Sequence, residues 1–519
     1  MTWNSQDARN AARCPPIWKG EAIFFCARRV TAIATGVRFM KELFRQLIKI
    51  LIFSAVLAIT AGAAPAADDS PADMNTVVAQ PHKPPSYWAS QMPEGPGRDV
   101  FIKRCSLCHD LQRTVSFSRP KEEWALIIPT MMRRGAAVQP DEFPLIFNYL
   151  TENFGPQSKP LGLIGMQPCK PSEWPKGSAD FRTAVHGTYS IWASNQQGGT
   201  IDIIDPAQNK VVRRIRCVSG PDRAEFSPDG NTAYVPDRVE HNITVIDTET
   251  GAITKKIPLL ARPNTAVITR DGKKLYSGIW PVRPDEDKLG FIEVIDTAKL
   301  EVTKIIETKG GIHDTWMAPD GKTFLAMAPE AKFMNLYDTQ NENLIYTCCT
   351  ETGIGTMNME AGPDGSTSRI FASMGGFVVF DAKTGKELER IKPPAETDGP
   401  FKGVQRNGNF HGAEITADGK SFWAASQSGD DLTVYRYSLP DLKVAGRVHL
   451  TNVDQMGQPF KPATEGSWLT VSPDGKTVYA ARPGRNLIYV IDAASIKEVA
   501  RIPTGEYPLH ISIWPRGTP

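Results

Sequence analysis

Seven times between residues 228 and 517 a run of alternating apolar residues is broken by a tight glycine turn. The copies are Pro228-Asp229-Gly230, Arg270-Asp271-Gly272, Pro319-Asp320-Gly321, Pro363-Asp364-Gly365, Ala417-Asp418-Gly419, Pro473-Asp474-Gly475 and the degenerate Pro515-Arg516-Gly517, at steps of 42 to 56 residues. Asp-Gly between such runs marks a hairpin, because Gly accepts the positive φ and Asp bonds its own turn. A companion signal closes a later strand in most copies: Ile204-Asp205, Ile246-Asp247-Thr248, Ile295-Asp296-Thr297, Tyr337-Asp338-Thr339, Phe380-Asp381 and Ile491-Asp492. A period of this length fits one four-stranded blade, a unit that cannot bury its own faces and must stack on its neighbours. Seven copies therefore predict an all-β propeller of seven blades over residues 181–519. The first set, Tyr189 to Arg216, lacks an inner strand, and the last copy, Leu509 to Trp514, lacks outer ones. The two are expected to complete one blade and close the ring, removing its exposed edges.

Upstream, Met40 with Lys41, Arg45 and Lys49, the apolar run Ile50 to Ile59 and the small residues Ala61 to Ala67 read as an export signal over 40–67, cleaved after Ala66 or Ala67. Residues 1–39 sit awkwardly ahead of such a signal and are read as an over-extended start. An uncleaved anchor is the alternative, since the run is marginal in length for a span. No other stretch is long and apolar enough for a polytopic membrane protein. With 9 Lys/Arg and 3 Asp/Glu in residues 1–66, the remainder keeps 50 basic and 54 acidic groups, a net of about −4 that argues against a nucleic-acid partner. The expected location is the periplasm. In that oxidising compartment Cys169 and Cys217 are expected to pair, and Cys348 and Cys349 to be two half-buried thiols rather than a vicinal disulfide.

After a linker over 68–95 comes Cys105-Ser106-Leu107-Cys108-His109, the Cys-x-x-Cys-His pattern of covalent haem attachment. Two thiols at this spacing add to the two vinyl groups, and the adjacent imidazole of His109 presents a nitrogen to the iron. The other reading, a zinc or redox Cys-x-x-Cys, lacks a second cysteine pair. A sixth iron ligand is expected from the helices that follow, where Met131 and Met132 are candidates, and either is equally suited to core packing.

The segment Glu122-Glu123-Trp124 through Met131 and Gly135, then Asp141-Glu142 and Tyr149-Leu150 before Phe154-Gly155-Pro156, resembles the haem domains of quinohaemoprotein amine dehydrogenase alpha subunits. That resemblance implies a small all-α cytochrome c domain over 96–157, with Met131 rather than Met132 as the distal ligand, followed by a linker over 158–180. The strand and turn repeats resemble those of YVTN-type seven-bladed propellers, similar in architecture to the larger propeller of cytochrome cd1 nitrite reductases. A faint likeness of Phe380 to Leu388 to the tryptophan-docking repeat of quinone-dependent dehydrogenases occurs once, with Glu389 where that motif has Trp, and is discounted.

In a blade of this kind the Asp-Gly turns occupy one face, so long connections near Ile279 to Gly290, Lys392 to Phe410 and Thr451 to Gly466 fall on the other. Three histidines stand at the start of inner strands on that second face: His313, His411 and His510, in the fourth, sixth and first blades. Spread around a ring, they are expected to converge on the axis as a catalytic group, as ligands of a second metal or cofactor, or as structural residues at a polar tunnel. Arg223, Asn264 and Trp468 occupy neighbouring registers suited to an anion or a ring, while Asp314, Glu414 and Glu465 are adjacent carboxylates that strand alternation can turn away. His186, His241 and His449 read as surface residues.

These features predict an exported haem c protein acting in electron transfer. It is either a periplasmic haem-dependent oxidoreductase whose propeller binds a small-molecule substrate or second redox centre, or a non-enzymatic module that docks a partner. Both imply a soluble electron carrier or redox partner protein.

Overall fold

The computed structural model describes residues 90–105, 111, 119–133, 138–158, 169–279, 290–328, 332–349, 356–373, 376–392, 409–428, 431–450 and 467–515. The expected export signal, Cys108, His109 and Glu465 lie outside these residues, as do the side chains of Met131 and His411.

Among the described residues, strands β1 (Ser190–Asn195) to β28 (Pro508–Trp514) form seven four-stranded antiparallel sheets. Six are runs of consecutive strands, and the seventh joins β28 to β1, β2 (Thr200–Asp205) and β3 (Lys210–Ile215). Ile513 pairs with Ile191 and Ile511 with Ala193, so the chain end supplies the inner strand of the first blade. The seven-bladed propeller and its closure are as the repeat predicts. The remaining first strands are β4 (Glu225–Phe226), β8 (Pro263–Ile268), β12 (Asp314–Met317), β16 (Met357–Ala361), β20 (Asn409–Ile415) and β24 (Leu469–Val471). First strands of neighbouring blades pack on one another, β8 on β12 and β20 on β24 among them, whereas fourth strands such as β11 (Glu301–Thr308) are mostly exposed.

The repeated residues earn their places locally. Gly230, Gly272, Gly321, Gly365, Gly419 and Gly475 all have φ between 65° and 78°, which a side chain disfavours. The Asp of each turn accepts from the backbone N–H two residues on, at 3.1 Å for Asp229 and 2.9 Å for Asp320. The later Asp-Thr signal does two jobs. Asp247 accepts the N–H of Thr250 at 2.8 Å, and Thr248 donates its hydroxyl to the carbonyl of Gly230 at 2.5 Å, tying the third strand to the hairpin turn. Thr297 and Thr339 repeat the bond to Gly272 and Gly321. Between blades the core is apolar and aromatic: Phe371 and Phe422 stack at 5.0 Å, with Phe377 edge-on to Tyr437 at 5.1 Å. Each such ring contributes about 1.5–3 kcal/mol on burial.

Ahead of the strands, three helices share a core: α1 (Arg98–Cys105), α2 (Lys121–Arg133) and α3 (Glu142–Asn153). Phe101, Trp124, Ile128, Ile146, Tyr149, Leu150 and Phe154 are buried there. Arg104 fastens α1 to α3 with two bonds to the Glu142 carboxylate, at 2.8 and 2.7 Å, and the Trp124 indole donates to the Phe154 carbonyl at 3.1 Å. No helix among the described residues is long and apolar enough to cross a membrane. Cys169 and Cys217 form the expected disulfide, closing a span of 48 residues around the outer strands of the first blade.

Candidate axial site

Asp-Gly turns join each first strand to its second, so the residues leading into first strands stand on the opposite face of the ring. The same alternation ends β9 (Lys274–Ile279), β19 (Glu387–Ile391) and β23 (Val444–Leu450) on that face.

His510 is 3% exposed, and its imidazole lies 4.0 Å from the Trp468 ring of the preceding blade. Its Nε2 is 2.8 Å from Oδ1 of Asp222, on the chain leading into β4. An ionised carboxylate only accepts, so Nε2 carries the proton of this bond. Asp222 is fully buried and also takes the N–H of Arg223 at 2.8 Å and Nη1 of Arg238 at 3.2 Å. Burial alone would raise its pKa, but the charge and hydrogen bond of His510, with Arg238 and the Arg223 N–H behind them, hold it down at about 2.

Asp314 is another fully buried carboxylate on this face. Its Oδ2 lies 3.3 Å from Nδ1 of His313. Burial again works upward on this carboxyl, and His313 first, then Arg223 and His510, bring it below its ordinary value. Strand alternation thus turns Asp314 inward rather than away. His510 binds Asp222, whose neighbour Arg223 reaches Thr315 beside Asp314 and His313, so the two imidazoles belong to one polar cluster.

Arg223 reaches from the second blade to the fourth, where Nη2 donates to the Thr315 carbonyl at 2.9 Å and the guanidinium stacks on Trp316 at 4.2 Å. The third blade fills the interval: Asn264 donates to the His313 carbonyl at 2.5 Å, and the Thr265 hydroxyl accepts the Thr315 N–H at 2.8 Å. Arg223, Asn264 and Trp468 are therefore brought into the cluster with His313 and His510. His411 stands on β20 at the equivalent start of the sixth blade, with its side chain outside the described residues. Among the described residues no group of three His, Cys, Asp or Glu side chains gathers at metal-binding spacing.

Asp222 does not stand out in the sequence, although a signal for it exists. Counting back seven residues from the six turn aspartates gives Asp222, Asn264, His313, Met357, His411 and Ser467 as one ring of equivalent positions, polar in all but Met357. Outside the cluster, His449 is not a free surface residue: it is half-buried, with Nδ1 2.9 Å from the Thr433 hydroxyl. The Cys348 thiol is buried, donates to the Gly385 carbonyl at 3.1 Å and is pushed up to about 12 by burial, which suits a packed thiol and not a nucleophile.

In the helical segment, Cys105 ends α1 and packs, half-buried, against the core of Phe101, Leu111 and Trp124. Met132 packs against the same core.

No family model matches the chain. Antigen Lp49 of Leptospira interrogans serogroup Icterohaemorrhagiae serovar copenhageni is 30% identical over 158 residues, 28% of this chain and 32% of that protein. The chain thus spans about a third of the length of this curated relative. Among solved structures, hydrazine synthase of Kuenenia stuttgartiensis aligns with a TM-score of 0.45 at 19% identity, over 56% of this chain and 88% of that one. Dihydro-heme d1 dehydrogenase NirN in complex with DHE aligns with a TM-score of 0.47 at 14% identity, over 80% of this chain and 98% of that one.

Proposed function

We propose that this protein is an exported, periplasmic c-type haem protein acting in electron transfer. Its propeller binds a substrate or second redox centre at the axial cluster, while the haem exchanges electrons with a soluble carrier. The observation that carries the reading is the Cys105, Cys108 and His109 pattern beginning at the last residue of a helix whose buried side is apolar. That placement fits the group: a thiol at a helix end beside an apolar core can hold a macrocycle by thioether bonds, with an imidazole next in the chain. Bound there, the haem supplies one-electron chemistry.

The chain's own residues supply the rest. Cys105 and Cys108 would hold the macrocycle, His109 and Met131 its iron, and the apolar core would exclude water. The axial cluster offers proton-bearing imidazoles already oriented by buried carboxylates, Asp222 for His510 and Asp314 for His313. This arrangement favours an oxidoreductase over a propeller that only docks a partner.

A haem stain on denaturing gels and a pyridine haemochrome spectrum test the reading. One covalent haem per chain is expected, surviving acid acetone extraction and lost in Cys105→Ala plus Cys108→Ala. A near-infrared sulfur-to-iron band should vanish in Met131→Ala and persist in Met132→Ala. A chain purified from a haem-attaching host without covalent haem would overturn the proposal.

A further inference from the structure

Arg223 carries more hydrogen-bonding capacity than its surroundings use. Its side chain is 5% exposed, and a guanidinium presents five N–H donors. Nη2 donates to the Thr315 carbonyl at 2.9 Å, whereas Nε and Nη1 are buried with no acceptor. The indole N–H of Trp316, the ring on which Arg223 stacks, likewise has no acceptor. A buried donor left unpaired is costly, and more so when charged. A fold that keeps three such donors together is holding them for an acceptor that the chain does not supply.

The nearby carboxylates do not fill that role. Asp222 takes the backbone N–H of Arg223 and the imidazole of His510, not the guanidinium. Asp314 feels the charge of Arg223, but its Oδ2 meets His313 and its Oδ1 has no partner. On the intervening blade, Asn264 donates Nδ2 to the His313 carbonyl and leaves Oδ1 as a buried acceptor without a donor. The carbonyls of His313 and Thr315 are two residues apart where the chain enters β12. The unused donors of Arg223 and the unused acceptor of Asn264 therefore belong to side chains anchored on neighbouring carbonyls of the fourth blade.

We infer that this cluster binds a small carboxylic acid bearing a neighbouring hydroxyl or amine. The anionic head accepts from Arg223 and Trp316, and the hydroxyl or amine donates to Asn264. Charge-assisted bonds of this kind are the strong ones, and a site that leaves them unpaired rejects a neutral analogue. The inference rests on the proposed reading of the propeller face and names the ligand class for it.

The test is calorimetric and tryptophan-fluorescence titration of the full-length haem-loaded chain with glycolate, acetate and glycolamide. Glycolate should bind tightest, acetate more weakly for want of the hydroxyl, and neutral glycolamide about tenfold or more weaker than glycolate. Arg223→Gln should bring glycolate down to the glycolamide level, and Asn264→Leu should make glycolate and acetate equal, while Arg390→Gln on the outer strand β19 changes nothing. Absence of glycolate binding, equal binding of glycolamide, or an Arg223→Gln variant that folds and binds normally each overturns the site. If Arg223→Gln does not fold, the wild-type ligand order alone decides. Haem content is read on the same preparations. Full haem with no glycolate binding defeats this site and leaves the electron-transfer reading standing; missing haem defeats that reading and leaves the titration to be judged alone.

Discussion

The pair of His510 and Asp222 shows how a single buried contact sets both stability and chemistry. A histidine at the rim of a tunnel is ordinarily dispensable for folding, because rim side chains bury little apolar area. In the structure His510 is 3% exposed and meets a fully buried carboxylate. His510→Ala would leave Asp222 with Arg238 and a backbone N–H only, so a loss of about 2–3 kcal/mol is expected from urea unfolding. Asp222 has a depressed folded pKa of about 2. Its stabilising share is therefore complete above the unfolded value of about 3.9 and disappears as pH falls through the folded one. The stability difference between wild type and Asp222→Asn should shrink by on the order of 2–3 kcal/mol between pH 5 and about pH 2. A difference that stayed constant over that interval would mean that the carboxyl titrates alike in the folded and unfolded protein.

At the scale of the strand, glycine does two different jobs. Gly475 sits in an Asp-Gly turn at φ +70°, and an added Cβ would meet nothing within 4 Å, so Gly475→Ala should cost only the left-handed backbone penalty, about 1–2 kcal/mol. Gly412 lies in β20, where a Cβ would come within 2.6 Å of the Leu469 nitrogen and 2.7 Å of the Trp468 Cα on the next blade. Backbone cannot rotate aside as a side chain can. Gly412→Ala is expected to force the sixth and seventh blades apart at their inner strands, costing about 1–3 kcal/mol or more. Because Trp468 packs on His510, that variant should also weaken ligand binding at the axial cluster, which Gly475→Ala should leave unchanged. Denaturant midpoints and the glycolate titration together separate the two effects.

For the whole molecule, the ring closes through β28. β28 contributes Ile511, Ile513 and Trp514 to the interior and covers the edge of β1. Ser512 donates to the Ala224 carbonyl at 2.8 Å, tying the closing strand to the second blade. Ending the chain after Tyr507 would open the ring, remove His510 and expose an unpaired strand edge. Such a chain should show lost near-ultraviolet dichroism and association on size-exclusion chromatography, and a monomeric truncation with native dichroism would show that the ring holds without its clasp.

The amino-acid order alone determined the features that arise within a few residues of chain. Asp229 bonds the N–H two residues on, and Asp247 the N–H three residues on; such bonds recur wherever the same letters recur, so blade number and the closing of the ring were legible. The Cys-x-x-Cys-His pattern at Cys105 is local in the same sense. What only the tertiary structure decided is which polar groups meet at the axis. Asp314 faces inward because the pairing of β12 with β13 (Thr323–Ala328) sets its side of the sheet, and a shift of one residue would reverse it. Asp222 and His510 come from opposite ends of the propeller sequence, and Arg223 crosses from the second blade to the fourth. Convergence and burial depend on how seven separately formed blades pack around a common axis, and that geometry is a property of the closed ring that no local stretch of sequence contains.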